Sequence, residues 1–176
     1  MPSHVAFLRA INLGANRKFP KDAIRGCVEN AGFTDVETYI NTGNVRLSTP
    51  MRSRVKIEAA LEKAFLADRG FEVPTIVFSA SELAQVARDA EELHCPELAR
   101  HYIWLLKEEP TAETIDEVHA LDRDGHRAVI RGRSCHLLLV EGYEQGAVDP
   151  LRTEKRLGVA TNRNFNVVTT LARKWC

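Results

Sequence analysis

A strand-like run stops and a second one begins within YINTGNV, residues 39–45. The flanking segments, Val36 to Ile40 and Asn44 to Ser48, predict two short strands, because they combine apolar and β-branched side chains between turn residues. Asn41-Thr42-Gly43 connects them, and its glycine supplies the left-handed residue that a three-residue hairpin connection needs. The stretch therefore predicts a β-hairpin with a polar tip.

The elements around this hairpin predict a split βαβ, or ferredoxin-like, first half. His4 to Ile11 is apolar at nearly every position, which predicts a central strand buried on both faces. A helix follows Pro20, and Ser53 caps a second helix. Val73 to Phe78 is a further strand, which Pro74 confines to an edge or to a strand beginning. The resulting order is strand, helix, strand, strand, helix, strand.

The second half repeats part of this order. Ser79 and Glu82 have the spacing of a capping box ahead of a helix. Tyr102 to Leu106 predicts another strand that is apolar on both faces, and Thr111 can cap the helix that follows. Two more strands form a hairpin around Gly132, and a helix ends the chain. No residue-level repeat accompanies this similarity in element order.

Length and composition agree with this plan. The chain has 176 residues, of which 44% are hydrophobic and 27% charged, as in ordinary globular proteins. We predict an α+β fold of two ferredoxin-like (split βαβ) subdomains packed together, the second less regular and with a C-terminal helix. The first spans residues 1–80. The second, an α/β subdomain with C-terminal helices, spans residues 81–176.

Compartment and partners follow from what the sequence lacks. No apolar run approaches the roughly 18 to 20 residues that a membrane helix requires, and the N-terminus lacks a signal-peptide pattern. We therefore expect a cytoplasmic protein with no membrane partner. The net charge of +0 gives no general attraction to nucleic acid. The four cysteines form no C-x-x-C pair, so we expect free thiols, no metal and no cofactor.

Familiar catalytic patterns are missing as well. The chain has no G-x-S-x-G, G-x-G-x-x-G or H-E-x-x-H segment, and its six histidines are scattered without an evident nucleophile partner. The sequence therefore identifies no catalytic residue. It leaves open whether the protein is an enzyme, and it gives no oligomeric state.

Topology predicts where the polar residues meet. In a split βαβ unit the right-handed crossover makes strands one and two parallel, with strand three between them. The loop at 13–18 and the hairpin tip at 41–43 should therefore be neighbours, beside the end of the strand that carries Arg9 and Asn12. Arg9 interrupts an apolar strand, and a buried guanidinium needs a partner. That partner is either a helix carboxylate or a ligand.

The cations near the predicted helix starts and the amides of the hairpin tip each allow two interpretations, a structural one and a ligand-binding one. Arg17 and Lys18 precede one predicted helix and Arg163 precedes another, where a cation opposes the helix dipole by roughly 0.3 to 1 kcal/mol. A bound phosphate or carboxylate would offset this cost, and the alternative is flexible, hydrated side chains. Asn41 and Asn44 either shape the turn through local hydrogen bonds or orient a ligand.

Three segments together carry a family resemblance: FLRAINLG at 7–14, YINTGNV at 39–45 and TNRNFN at 161–166. They resemble the bacterial family of domain of unknown function 1697 over nearly the whole chain. The resemblance implies an α/β protein with ferredoxin-like features and no established activity. The chain departs from the family pattern at four positions: Ala10, Ala15, Pro20 and Phe165.

We predict a site for a small anionic ligand, a phosphorylated metabolite or nucleotide, in which arginine pairs with the anion and asparagine orients a polar group. The seven candidate ligand-binding residues are Arg9, Asn12, Arg17, Lys18, Asn41, Asn44 and Arg163. Two alternatives stay open. One is a single-stranded nucleic-acid-binding module that uses a sheet for stacking, which the zero net charge and the lack of an exposed aromatic pair disfavour. The other is a protein-interaction module without catalysis.

Overall fold

The structure is a computed structural model that describes residues 1–176. Its elements in chain order are β1 (Ser3–Leu8), α1 (Lys21–Asn30), β2 (Thr34–Tyr39), β3 (Asn44–Ser48), α2 (Arg54–Arg69), β4 (Thr75–Ser79), α3 (Ala80–Leu93), β5 (Arg100–Leu106), α4 (Ala112–His119), β6 (Arg127–Arg131), β7 (Ser134–Leu139), α5 (Glu154–Leu157), β8 (Ala160–Asn164) and α6 (Phe165–Trp175). None of these helices has both the length and the apolar character that a bilayer crossing requires. The chain divides into two compact units, residues 1–83 with 175–176, and residues 84–174.

The first unit contains a four-stranded sheet with the order β2-β3-β1-β4. β3 is antiparallel to both β1 and β2, so those two strands run parallel with β3 between them. β4 is antiparallel to β1 and lies at the edge, where Pro74 stands just before its first residue. This order, with α1 and α2 as the crossover helices, confirms the predicted ferredoxin-like arrangement.

The core of the first unit explains why β1 is apolar throughout. Ala6 and Leu8 join one buried cluster with side chains of α1 and α2, including Leu61. Val5 and Phe7 alternate with them and therefore point to the opposite face of the sheet. Both are 0% exposed. β1 is thus buried on both of its faces, as the continuous apolar run predicts.

Helix α2 supplies hydrogen-bond acceptors for the edge strand β4. Glu58 Oε1 accepts a bond from the Val77 N–H at 3.0 Å, and Glu62 Oε1 accepts one from the Thr75 N–H at 2.8 Å. Arg54 Nη1 lies 3.1 Å from the buried Glu58 carboxylate, one turn away on the same helix. Unpaired N–H groups on a sheet edge can pair with a strand of another molecule, and these carboxylates accept hydrogen bonds from two of them.

The second unit has a sheet with the order β6-β7-β5-β8, the same relative order as the first. β5 pairs antiparallel with β7 and β8, and β7 pairs antiparallel with β6. Helix α4 takes the place of α1, whereas α5 is a single turn of four residues. The second unit is therefore also ferredoxin-like, with a shorter second helix.

Strand β8 corrects the sequence reading. The sequence predicts a polar segment at Thr161 to Asn164 ahead of the terminal helix, but the structure pairs Asn162 with Trp104 and Arg163 with Ile103 of β5. Asparagine has a low strand propensity, so the pattern alone does not reveal this strand. Pairing with β5 supplies the backbone hydrogen bonds that override the local preference.

Predicted helix starts and thiols agree with the structure. The Ser79 N–H donates to Glu82 Oε2 at 2.7 Å, and the Glu82 N–H donates to Ser79 Oγ at 3.2 Å, which completes the capping box. Thr111 Oγ1 accepts from the Thr114 N–H at 3.2 Å. All four cysteines are free.

Candidate functional site

The first loop and the hairpin tip lie beside one another in the first unit. The Asn12 side-chain amide donates to the carbonyl oxygen of Asn41 at 2.7 Å. The Leu8 N–H donates to the Gly43 carbonyl at 2.8 Å. The parallel course of β1 and β2 brings these two loops to the same end of the sheet. Both bonds join residues more than 25 positions apart in the chain.

The Asn12 side chain closes the first loop by hydrogen bonds to the backbone of Phe19. Its side-chain oxygen accepts from the Phe19 N–H at 2.8 Å, and its amide nitrogen donates to the Phe19 carbonyl at 3.1 Å. Its backbone has φ 56°, a left-handed conformation that asparagine tolerates. The amide therefore closes the loop onto itself while it also reaches Asn41.

Arg17 has protein partners that were not visible in the sequence. Its Nε donates to the Ala10 carbonyl and its Nη2 to the Glu72 carbonyl, each at 2.6 Å. The guanidinium also lies over the Phe71 ring, 4.7 Å from its centroid. Two carbonyl oxygens thus accept hydrogen bonds from Nε and Nη2, whereas Nη1 has no hydrogen-bond partner within the protein. Arg17 stabilises the first loop against the segment before β4.

The hairpin tip has four residues rather than the predicted three, because Tyr39 pairs directly with Asn44. Ile40 has φ 51° and Gly43 has φ 79°. The Asn44 amide, 1% exposed, donates to the Tyr39 carbonyl at 3.0 Å and to Thr42 Oγ1 at 2.9 Å. Asn44 therefore has the turn-shaping role that was one of its two readings.

Gly43 is required by its surroundings as well as by its backbone angle. A methyl group at this position would lie 2.7 Å from Cβ of Leu8 and 2.9 Å from Cδ1 of Ile11. Leu8 Cβ is attached directly to the backbone of β1, so it cannot rotate out of the way. The hairpin tip can approach β1 this closely only with glycine.

A cavity of about 330 Å³ opens between these loops, and we call it the first-loop cavity. Its lining residues are Asn12, Gly14, Lys18, Pro20 and Asn41. The Lys18 ammonium and the Asn41 side-chain amide have no hydrogen-bond or ion-pair partner within the protein, and both side chains are exposed. Of the predicted residues, Asn12, Lys18 and Asn41 are the ones that meet in this cavity.

Arg9 does not interrupt a strand as predicted. β1 ends at Leu8, and Arg9 is partly buried in the bend that follows. Its backbone N–H donates to the Pro74 carbonyl at 2.9 Å. Ala10, with φ 56°, then turns the chain away from the sheet. The apolar run that predicts a strand to Ile11 continues through this bend because Ile11 is itself buried, at 6% exposure.

Arg163 belongs to the second unit, on β8. It is 8% exposed, and its Nη1 donates to Thr161 Oγ1 at 2.9 Å and to the Asn162 carbonyl at 2.7 Å. Burial lowers the pKa of the Arg163 guanidinium to about 10, so the group remains a cation at neutral pH. Its position before α6 matches the prediction, although it lies within a strand.

Sequence reasoning missed a chain of histidines in the second unit. Separations of 3.4 Å between Nδ1 of His94 and Nδ1 of His101, and of 3.1 Å between Nε2 of His101 and Nδ1 of His136, link three rings. Ser134 Oγ lies 3.1 Å from the remaining nitrogen of His136. The alternation of Ser134 and His136 on one strand was readable, whereas His101 joins them only through the register between β5 and β7.

Comparison with known proteins shows the fold and the family. The structure resembles the solved structure of a conserved bacterial protein from Streptococcus pneumoniae, with a TM-score of 0.70 and 20% sequence identity, over 98% of this chain and 99% of that one. At this identity the likeness concerns the fold. No curated protein matches the sequence.

A family model described as "Protein of unknown function (DUF1697)" matches residues 1–136. The match includes the first-loop and hairpin segments and ends before TNRNFN at 161–166, so it is shorter than the resemblance inferred from the three segments. It extends over well more than half of the chain. The protein therefore belongs to the DUF1697 family.

Proposed function

We propose that the first unit binds a small anionic ligand, a phosphorylated metabolite or a nucleotide, in the first-loop cavity. The observation that carries this proposal is the Lys18 ammonium, which lines a cavity of about 330 Å³ and has no partner within the protein. A cation without a protein partner at the wall of a concave site is available for a charge-assisted bond to a phosphate or carboxylate.

The other polar residues divide between contact and support. The side-chain amide of Asn41 is available to orient a polar group of the ligand, because only its backbone carbonyl is used by Asn12. Asn12 and Arg17 hold the loop in shape through backbone groups and therefore act as positioning residues. Pro20 stands at the start of α1, whose positive dipole end also favours an anion.

Lys18 gives the proposal a direct test. Binding of inorganic phosphate, and of a panel of nucleotides and sugar phosphates, would be measured by thermal shift and by NMR titration. The variant Lys18→Met should fail to bind at least one of the ligands that the parent protein binds. Lys21→Met is the matched control, because Lys21 is exposed, three residues away and outside the cavity lining.

Two results would contradict the proposal. One is the absence of any ligand-induced change at the first loop across the whole panel. The other is equal binding by Lys18→Met and the parent, with Lys21→Met no different from either. Because Lys18 would form an exposed ion pair with the ligand, the affinity should fall as the salt concentration rises, since charges are screened over roughly 10 Å at 0.1 M ionic strength.

Aromatic burial makes the nucleic-acid alternative less favoured. Single-stranded recognition on a ferredoxin-like sheet relies on exposed aromatic rings that stack on bases. Phe7 and Phe78, the aromatic pair of β1 and β4, contact each other at 6.0 Å between ring centroids. Phe7 is 0% and Phe78 1% exposed, so this pair presents no surface for stacking.

A further inference from the structure

A second cavity, of about 350 Å³, opens in the second unit, and we call it the histidine cavity. Its lining includes His94, His101, Arg100, Asn164, Phe165 and Asn166. His94 is exposed at its mouth, whereas His101 is 4% exposed and lies behind it. The His94 ring packs parallel to the Phe165 ring, with 4.1 Å between centroids and 13° between planes. This contact holds the imidazole in a defined orientation.

The hydrogen-bond chain behind the cavity has a definite direction. Ser134 Oγ donates to the Arg131 carbonyl at 2.8 Å, because a carbonyl oxygen can only accept. The hydroxyl must therefore accept the bond at 3.1 Å from His136, which places the proton of that ring on Nε2. Nδ1 of His136 is then the acceptor for His101 Nε2–H at 3.1 Å.

The tautomer of His101 in turn determines which nitrogen of His94 donates. With its proton on Nε2, neutral His101 has only Nδ1 left as an acceptor, so the 3.4 Å contact is donated by His94 Nδ1–H. In the neutral form of His94, the remaining nitrogen, Nε2, then carries the lone pair. No hydrogen-bond partner within the protein occupies it. One hydroxyl, about 40 positions away in sequence, thus sets the tautomer of an exposed imidazole.

The two inner rings are suited to this role because they stay neutral. Burial lowers the pKa of His101 to about 3 and that of His136 to about 4, and the nearby Arg131 cation acts in the same direction on His136. Arg131 itself faces Asp89 and Glu92 of α3, at 3.8 Å and 3.4 Å. The rings bond one to the next in series, and no group of three or more ligating side chains is placed to hold a metal ion.

We propose that the histidine cavity is a second ligand site, for a small acid that donates an O–H or N–H hydrogen bond to His94 Nε2 and places its negative charge beside Arg100. Arg100 has no carboxylate partner, and only its Nη1 is used, on the Ala99 carbonyl at 2.7 Å. If the proton transfers, its bonding electrons stay on the ligand and the proton resides on Nε2. His94 Nδ1–H then bonds to His101 as an imidazolium, which strengthens that bond.

Imidazole NMR tests the tautomer. Long-range proton–nitrogen correlations on ¹⁵N-labelled protein, at a neutral pH, should show His94 protonated on Nδ1, and His101 and His136 protonated on Nε2. Ser134→Ala, which leaves the cavity lining intact, should shift His94 toward the Nε2–H tautomer. His119 lies on α4 and does not belong to the series of hydrogen-bonded histidines, so His119→Gln is the control and should leave the three rings unchanged. A parent protein with His94 protonated on Nε2 overturns the proposal.

Phosphate and sulfate test the ligand class. Both are tetrahedral anions, but only phosphate retains an O–H near neutral pH. Inorganic phosphate should shift the His94 Nε2 resonance, sulfate should shift it much less, and Arg100→Gln should weaken the phosphate effect. No response to phosphate, or an equal response to sulfate, overturns the proposal. The His94 response should persist in Lys18→Met, so failure here and failure at the first-loop cavity are distinguishable.

Discussion

Replacing Gly43 by alanine tests whether the close approach of the hairpin tip to β1 organises the first unit. Gly43 has φ 79°, and a methyl group there would lie 2.7 Å from Leu8 Cβ and 2.9 Å from Ile11 Cδ1. A left-handed backbone costs a non-glycine residue roughly 1 to 2 kcal/mol. Overpacking in a well-packed core costs about 1 to 3 kcal/mol more. Gly43→Ala should therefore lower the free energy of unfolding by about 2 to 5 kcal/mol.

Gly70→Ala separates the two contributions. Gly70 ends α2 with φ 75°, and nothing lies within 4 Å of a methyl group placed there. This variant should lose only the backbone contribution, about 1 to 2 kcal/mol. The effect of alanine on the unfolded chain is similar at both sites, so it largely cancels in the comparison.

Urea unfolding followed by circular dichroism gives both free energies, and the informative quantity is their difference. We expect Gly43→Ala to be the less stable variant by about 1 to 3 kcal/mol. Equal losses would refute the reasoning, because they would mean that the hairpin tip moves away from Leu8 at no cost. A chemical-shift map of Gly43→Ala should also show changes at Asn12 and Asn41, whose bond depends on this approach.

Three other contacts lead to measurable effects. Because burial lowers the pKa of His101 and His136 from 6.5 to about 3 and 4, the unfolded chain binds more protons than the folded one below pH 6.5. Protonation of these two histidines therefore does not weaken the fold above pH 6.5, and the free energy of unfolding falls as the pH falls toward 3. The double variant His101→Phe with His136→Leu should flatten this decline in the urea-unfolding free energy between pH 6.5 and 4. An unchanged slope would contradict the burial argument. Glu58→Ala should lower the free energy of unfolding, measured by thermal denaturation, by about 1 to 3 kcal/mol, since the buried Val77 N–H loses its acceptor. Glu58→Gln keeps an acceptor oxygen and should lower the free energy of unfolding less. Arg17→Lys cannot bridge two carbonyl groups with a planar fork, so hydrogen exchange should speed up in residues 9–18, and unchanged exchange there would remove the structural role of Arg17.

The predicted site residues separate into those whose side chains hold the loops together and those whose side chains have groups available to a ligand. Asn12, Arg17 and Asn44 each donate a side-chain hydrogen bond to a backbone carbonyl, so each has a structural role. Lys18 and Asn41 retain side-chain groups without protein partners. A motif read from sequence does not distinguish these two roles, because both favour the same polar residue types at loop positions.

Local rules were sufficient for most of the elements. The capping box of Ser79 and Glu82 and the cap at Ser53 depend on residues within one turn of each other, and both were predicted. The continuous apolar run of β1 likewise implied burial on both faces, since an alternating pattern would have marked a solvent-facing side. Strand order then followed from the right-handed crossover rule.

Nonlocal pairing decided the rest. β8 forms because it pairs with β5, although Asn162 and Asn164 have a low strand propensity. The histidine chain requires the register that sets Ile103 opposite His136, and a one-residue slip would turn His136 to the other face. The sequence by itself determined the types and order of most elements through short-range physics. Only the tertiary structure decided which polar side chains serve each other and which remain available to a ligand, because that depends on distances between residues far apart in the chain.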